Sequence, residues 1–114
     1  MTLIYKVSGI AAPVVPIIPL PYNNNIRIIQ TPDHVVIHNE MIHDARIIPV
    51  DRREHSERVL RPWLGESRGH WHNDTLIVST KYFNQKHSWW IALSPNMELV
   101  ERFTRIGHET LTYE

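Results

Sequence analysis

The chain has 114 residues, about one domain, and its 12 basic and 12 acidic side chains leave no net field to attract nucleic acid or an anionic membrane. It has no cysteine, which excludes disulfides, thiolate metal sites and a cysteine nucleophile, and leaves the redox compartment unread. Ile and Val total 23, the bias of a pleated, half-buried sheet, and eight histidines make the surface charge sensitive to pH between about 5 and 8.

The first stretch, residues 1–20, is apolar, but Pro13, Pro16 and Pro19, followed by Pro21, interrupt it. A membrane-crossing helix needs about 20 uninterrupted helical residues, so no membrane span is expected. Lys6 is the only early basic residue and no small-residue cleavage box follows, so no targeting segment is expected either, and localisation is left open. Residues 12–21 (APVVPIIPLP) suit an extended polyproline II arm. Without a flanking arginine they read as an apolar cover for the chain's own core or a neighbouring subunit, in preference to an SH3-type ligand. The organisation expected is an arm over 1–21 and a single β domain over 22–114.

Residues 2–7 form a short β-type run. The Asn23-Asn24-Asn25 turn introduces strands at 26–30 and 34–41, which are separated by Thr31-Pro32-Asp33. A third strand covers 45–50. One short helical turn is expected near 56–61, before Pro62. Strands at 67–71 and 75–82 flank His72-Asn73-Asp74. An aromatic strand at 88–93 ends at Ser94-Pro95-Asn96, and a last hairpin at 98–106 and 109–114 turns at Gly107-His108. In that last arm Leu111 and Tyr113 point one way, Thr110 and Thr112 the other. About seven to eight short strands at this spacing predict an all-β fold, an antiparallel barrel or curled sandwich.

Several strings carry chemistry on paper. Gly65-Glu66-Ser67-Arg68-Gly69 matches the G-x-S-x-G nucleophile elbow, but that motif needs a strand-to-helix turn over a parallel sheet, and here a hairpin follows. The two glycines are better read as permitting a bend where the chain enters the hairpin. His70 and His72 lie on one face of their strand about 7 Å apart. His34, His38 and Glu40 likewise share a face of theirs. Such pairs allow a zinc or other divalent-metal site through His70, His72 and His34, although eight histidines generate them by chance and no cofactor is the simpler expectation. His43, Asp44 and Arg46 form a polar cluster between apolar pairs. It can be an Asp44–Arg46 ion pair or an acid–base site in which Arg46 binds an anionic group. Trp63, Trp71, Trp89 and Trp90 form a large aromatic payload, and adjacent Trp89 and Trp90 must face opposite sides of their strand. Asn73-Asp74-Thr75 fits a glycosylation sequon and reads better as a hairpin turn.

Read together, Tyr22-Asn23-Asn24-Asn25, Gln30-Thr31-Pro32-Asp33, EMIHDARIIP at 40–49, WLGESRGHW at 63–71, NDTLIV at 73–78 and LVERFTR at 99–105 resemble a family of small uncharacterised bacterial β-rich proteins, many of them exported. The resemblance runs from about Tyr22 to Glu114 and implies a β-rich fold without implying an activity. Members usually carry a signal segment upstream and a further stretch downstream of the region that this resemblance covers.

Three functional classes follow. The first is a small-molecule-binding barrel lined by His38, Glu40, Trp71, Trp89 and Trp90, or a cofactor-free enzyme using His43, Asp44 and Arg46. The second is a histidine-ligated metalloenzyme. The third is a self-assembling protein, most simply a homodimer, joined through the apolar arm and sheet edges.

Overall fold

The computed structural model describes residues 2–6, 25–39, 45–56, 65–83 and 96–114. Eight strands lie in chain order: β1 (Thr2–Lys6), β2 (Asn25–Gln30), β3 (His34–Asn39), β4 (Ala45–Pro49), β5 (Glu66–His72), β6 (Thr75–Lys81), β7 (Leu99–Arg105) and β8 (Leu111–Tyr113). They form two four-stranded antiparallel meanders, β1-β2-β3-β4 and β5-β6-β7-β8. Among the described residues neither sheet closes into a barrel and there is no helix. Ser56 is irregular, and the rest of the helical turn expected near 56–61 and the strand expected at 88–93 lie outside the described residues.

Each sheet buries one face because its strands alternate. In β6 (TLIVSTK), Leu76, Val78 and Thr80 point inward while Thr75, Ile77, Ser79 and Lys81 are half-buried on the other side. β2 and β3 alternate likewise, burying Ile26, Ile28, Val35 and Ile37, and β4 contributes Ile48. These side chains meet Leu76, Val78 and Phe103 from the second sheet in one core, with Val50 and Leu111 packed at its margin. Pro49 is tolerated because it ends an edge strand, where a missing N–H leaves no ladder bond unmade.

Two glycines set local geometry. Gly65 takes φ +74° ahead of β5, and a Cβ there would lie 2.8 Å from Thr80 Cγ2 and 2.9 Å from the Lys81 carbonyl oxygen. Gly69 lies inside β5, where a Cβ would meet Ile48 Cγ2 at 3.0 Å and Val50 Cγ1 at 3.1 Å. The missing side chain lets the first sheet approach the second. The β5–β6 hairpin turns on Asn73-Asp74, with Asn73 at φ 52°, a left-handed conformation that Asn accepts readily. No helix among the described residues is long and apolar enough to cross a membrane.

Candidate functional site: an inter-sheet cleft beside a sealed ion pair

The inward faces of the two sheets carry two features of opposite kind. The first is polar and closed. Arg46 projects inward from β4, four per cent exposed, and meets Glu101 of β7, which is wholly buried. Arg46 Nη2 donates to Glu101 Oε2 at 2.7 Å and Nη1 donates to Oε1 at 3.3 Å, a two-point carboxylate clamp. Nη2 also lies 3.1 Å from Ser67 Oγ and 3.1 Å from Thr80 Oγ1, and those hydroxyls bond each other at 2.9 Å. Tyr113 of β8 donates its hydroxyl to Glu101 Oε1 at 3.0 Å. Burial, reinforced by the Glu101 carboxylate, pushes the Tyr113 phenol well above its ordinary ionisation range, so it stays a donor. Arg46 Nε is buried and makes no hydrogen bond.

Five strands thus contribute to one charged knot, and its chemistry is structural. Its guanidinium is paired to a carboxylate and two hydroxyls and is four per cent exposed, so little of it faces solvent or an incoming anion. Ser67 belongs to this knot and is five per cent exposed, so the G-x-S-x-G string does not present a nucleophile. Gly65, at the head of that string, supplies the bend.

The second feature is open. At the end of the core near the 72–75 and 105–111 turns, the sheets part around a cleft of about 860 Å³. Its floor is Ile28, Val35 and Ile37 from the first sheet and Leu76, Phe103 and Leu111 from the second. Its rim is polar and aromatic: Gln30, Trp71, Asn73, Asp74, Arg105 and His108. Trp71 follows Ser67 and Gly69 on the inward face of β5, but stands at the strand's end and is 41 per cent exposed, with its indole at the mouth. Arg105 Nε donates to the Gly107 carbonyl at 3.0 Å and Nη2 to the His108 carbonyl at 2.9 Å, which fixes the turn that forms one wall. A concave space of a few hundred cubic ångströms, apolar inside with a few polar groups at its edge, is the usual form of a small-molecule site.

The residues singled out from sequence fall in different places. Trp71 lines the cleft and Arg46 is in the sealed knot. His38 and His34 lie half-buried on the face of β3 turned away from the core, and His34 Nδ1 is 3.2 Å from Asp33 Oδ1. That contact, with the Thr31 hydroxyl, holds the Asp33 carboxyl below its usual range. His70 and His72 are exposed on the outer face of β5, in the other sheet from His34. Among the described residues, no three His, Asp or Glu side chains are grouped to hold a metal ion. Glu40, His43, Asp44, Trp89 and Trp90 lie outside the described residues. Sequence reasoning missed Asp74, Arg105 and His108 as rim residues. All three sit in or beside hairpin turns, where turn propensity alone accounts for them.

Comparison with protein-family models, with curated proteins and with solved structures gives no match for this chain.

Proposed function

We propose that the protein binds a small amphipathic molecule in the cleft between its sheets, with the ligand's apolar body on the Ile28–Phe103 floor and its polar end at the rim. The observation that carries this reading is the cleft itself: about 860 Å³ of open space with an apolar floor and a half-exposed tryptophan at its mouth. An apolar surface left open to water is unfavourable by roughly 25 cal/mol per Å², so a ligand that covers it gains that free energy on entry. Arg105, His108, Asp74, Asn73 and Gln30 offer both donors and acceptors, which suits a head group that is polar on more than one edge. In this reading the two sheets form a sandwich that is tight around the Arg46–Glu101 knot and splayed at the other end. The resemblance to small β-rich bacterial proteins is compatible with it and adds no activity.

The reading is tested by thermal shift with a panel of amphipathic compounds, among them medium-chain carboxylates and aromatic sulfonates. A ligand specific for the native state raises Tm in proportion to its concentration over Kd. The expected result is stabilisation by some members that is lost in Trp71→Ala and in Leu111→Trp, which plugs the cleft from its margin. Stabilisation that survives both substitutions places the ligand elsewhere.

A second reading, self-association, has its own support. Among the described residues β4 and β8 each pair on one side only, and Ile47 on β4 and Ile106 in the turn before β8 are more than 60 per cent exposed. Unpaired strand edges beside exposed apolar side chains invite another copy of the chain. Light scattering at micromolar concentration, with a mass of two chains expected and one chain contradicting it, is the measurement.

A further inference from the structure

One array of titratable side chains belongs neither to the cleft nor to the knot. It lies on the outer face of the second sheet, where Glu66, Arg68, Ser79 and Lys81 alternate against the inward Ser67, Val78 and Thr80. The segment 51–56 is tied across that face. Ser56 N donates to Glu66 Oε2 at 3.0 Å, and Arg68 Nε donates to the Glu54 carbonyl at 3.1 Å. His55 is thereby held with Nε2 3.1 Å from Ser79 Oγ and Nδ1 3.4 Å from Glu66 Oε2. The Tyr82 ring stands edge-on to the imidazole, with centroids 6.1 Å apart. Glu66 is fixed in turn by Arg68, whose Nη2 donates to Oε1 at 2.5 Å.

The protons decide how such an array works. Ser79 has one hydroxyl proton and two acceptors, His55 Nε2 and Glu98 Oε1, the latter 2.6 Å away. At 2.6 Å the hydroxyl donates to the Glu98 carboxylate at rest, and Lys81 Nζ stands 3.7 Å from the same group. His55 Nδ1 is buried, makes no hydrogen bond and faces the Glu66 carboxylate, so the imidazole proton is placed on Nδ1, where that contact becomes an attraction. Nε2 is then a bare acceptor 3.1 Å from Ser79 Oγ, and the hydroxyl proton reaches it by turning away from Glu98. Burial pushes the His55 imidazole below its ordinary value against the pull of Glu66, while Lys81 and Arg68 push it the same way as burial. The neutral base is therefore the form present at pH 7.

We propose that Ser79 is a nucleophile toward activated acyl and organophosphoryl groups, with His55 as its general base and Glu66 orienting the imidazole. The order of contacts, hydroxyl to Nε2 and Nδ1 to carboxylate, is that of serine hydrolases, although the serine here is in the middle of a strand. Ser79 Oγ attacks the carbonyl carbon of an ester as its proton moves to His55 Nε2. The bond to the leaving alkoxide breaks, and the alcohol departs with that proton. Water attacks the acyl-Ser79 ester next, giving its proton to Nε2, which returns it to Ser79 Oγ as the acid leaves. Lys81, two residues on along the same face, brings a cation beside the carbonyl oxygen that gains charge.

The test is labelling of the full chain with a fluorophosphonate probe, followed by intact mass and peptide mapping; the Oγ–P bond forms, P–F breaks and fluoride leaves. One adduct on Ser79 is expected, absent in Ser79→Ala. General-base assistance is typically worth about 10²–10⁴-fold, so His55→Gln should slow labelling by ~10²-fold or more. Glu98→Ala, which removes the competing acceptor, should speed it several-fold. The wild-type rate should rise through one ionisation below pH 6.5 and then level; Glu66, Arg68, Lys81, Tyr82 and Glu98 are the other charged or titratable groups facing His55. No adduct, a Ser79 adduct formed as fast in His55→Gln, a slower rate in Glu98→Ala, or a rate that simply follows hydroxide each overturns the proposal. The last of these applies to the wild-type chain and so stands even if a variant fails to fold.

Discussion

The residues that hold the two sheets in register are charged. Removing one member of a buried ion pair leaves the other uncompensated, so Arg46→Met or Glu101→Leu alone should destabilise the fold by about 3–5 kcal/mol. The double variant Arg46→Met/Glu101→Leu should be less damaging than the sum, since no orphan charge remains; urea denaturation of the four chains closes the cycle. Tyr113→Phe removes one hydrogen bond to that carboxylate and should destabilise by about 1.5–3 kcal/mol, the range for a bond to a charged group. Sequence indicated the kind of feature but offered Asp44 as the partner, where the carboxylate that meets Arg46 is Glu101. Arg46 between apolar neighbours had to be paired if buried, but Glu101 is 55 residues away and no spacing rule reaches it. His55, Glu66 and Ser79 are scattered in the same way, and only the segment crossing the outer sheet face brings them together. A pH effect belongs to this scale as well. The His55 imidazole is held below its unfolded value, so the folded state binds fewer protons than the unfolded one as pH falls below 6.5. Stability should therefore decline from pH 6.5 down to the folded ionisation and then level, and His55→Gln should flatten that part of the profile. Asp51 acts lower still: Arg53 beside it holds its carboxyl down to about 2, so that contribution is present above 3.8 and fades only as pH drops toward 2.

Among the elements, those whose pattern is local were legible. β6 alternates β-branched and polar residues without interruption, and the Asn73-Asp74 turn fixes its pairing with β5. Leu111 and Tyr113 share a face as their alternation requires, and that face reaches Glu101. Strand ends moved by one or two residues, for instance β8 at Leu111–Tyr113 against an expected start at Glu109, because residues 106–110 close a wider turn through the Thr110 carbonyl. Gly69 was legible as a weak point of its strand, but the closeness of Ile48 and Val50 was not, since that depends on how one sheet sits on the other. Gly69→Ala should cost about 1–3 kcal/mol by overpacking, read as a lower denaturation midpoint. Ala at Gly65 should be worse, because φ +74° and a 2.8 Å approach to Thr80 act together.

For the whole molecule, an all-β chain in two antiparallel sheets was legible from composition and turn spacing. That the two sheets stay open among the described residues was not, since closure depends on strand tilt and shear that no single strand encodes. The cleft was legible only through Trp71; its other walls come from turns that carry no distinctive chemistry in sequence. Its most direct test is a methyl NMR titration of the intact protein with 8-anilinonaphthalene-1-sulfonate, an apolar body with an anionic head. The account predicts saturable shifts confined to the methyl groups of Ile28, Val35, Ile37, Leu76 and Leu111 and to the Trp71 indole, all abolished by Leu111→Trp. Shifts spread over the outer faces, or unchanged in Leu111→Trp, would contradict it.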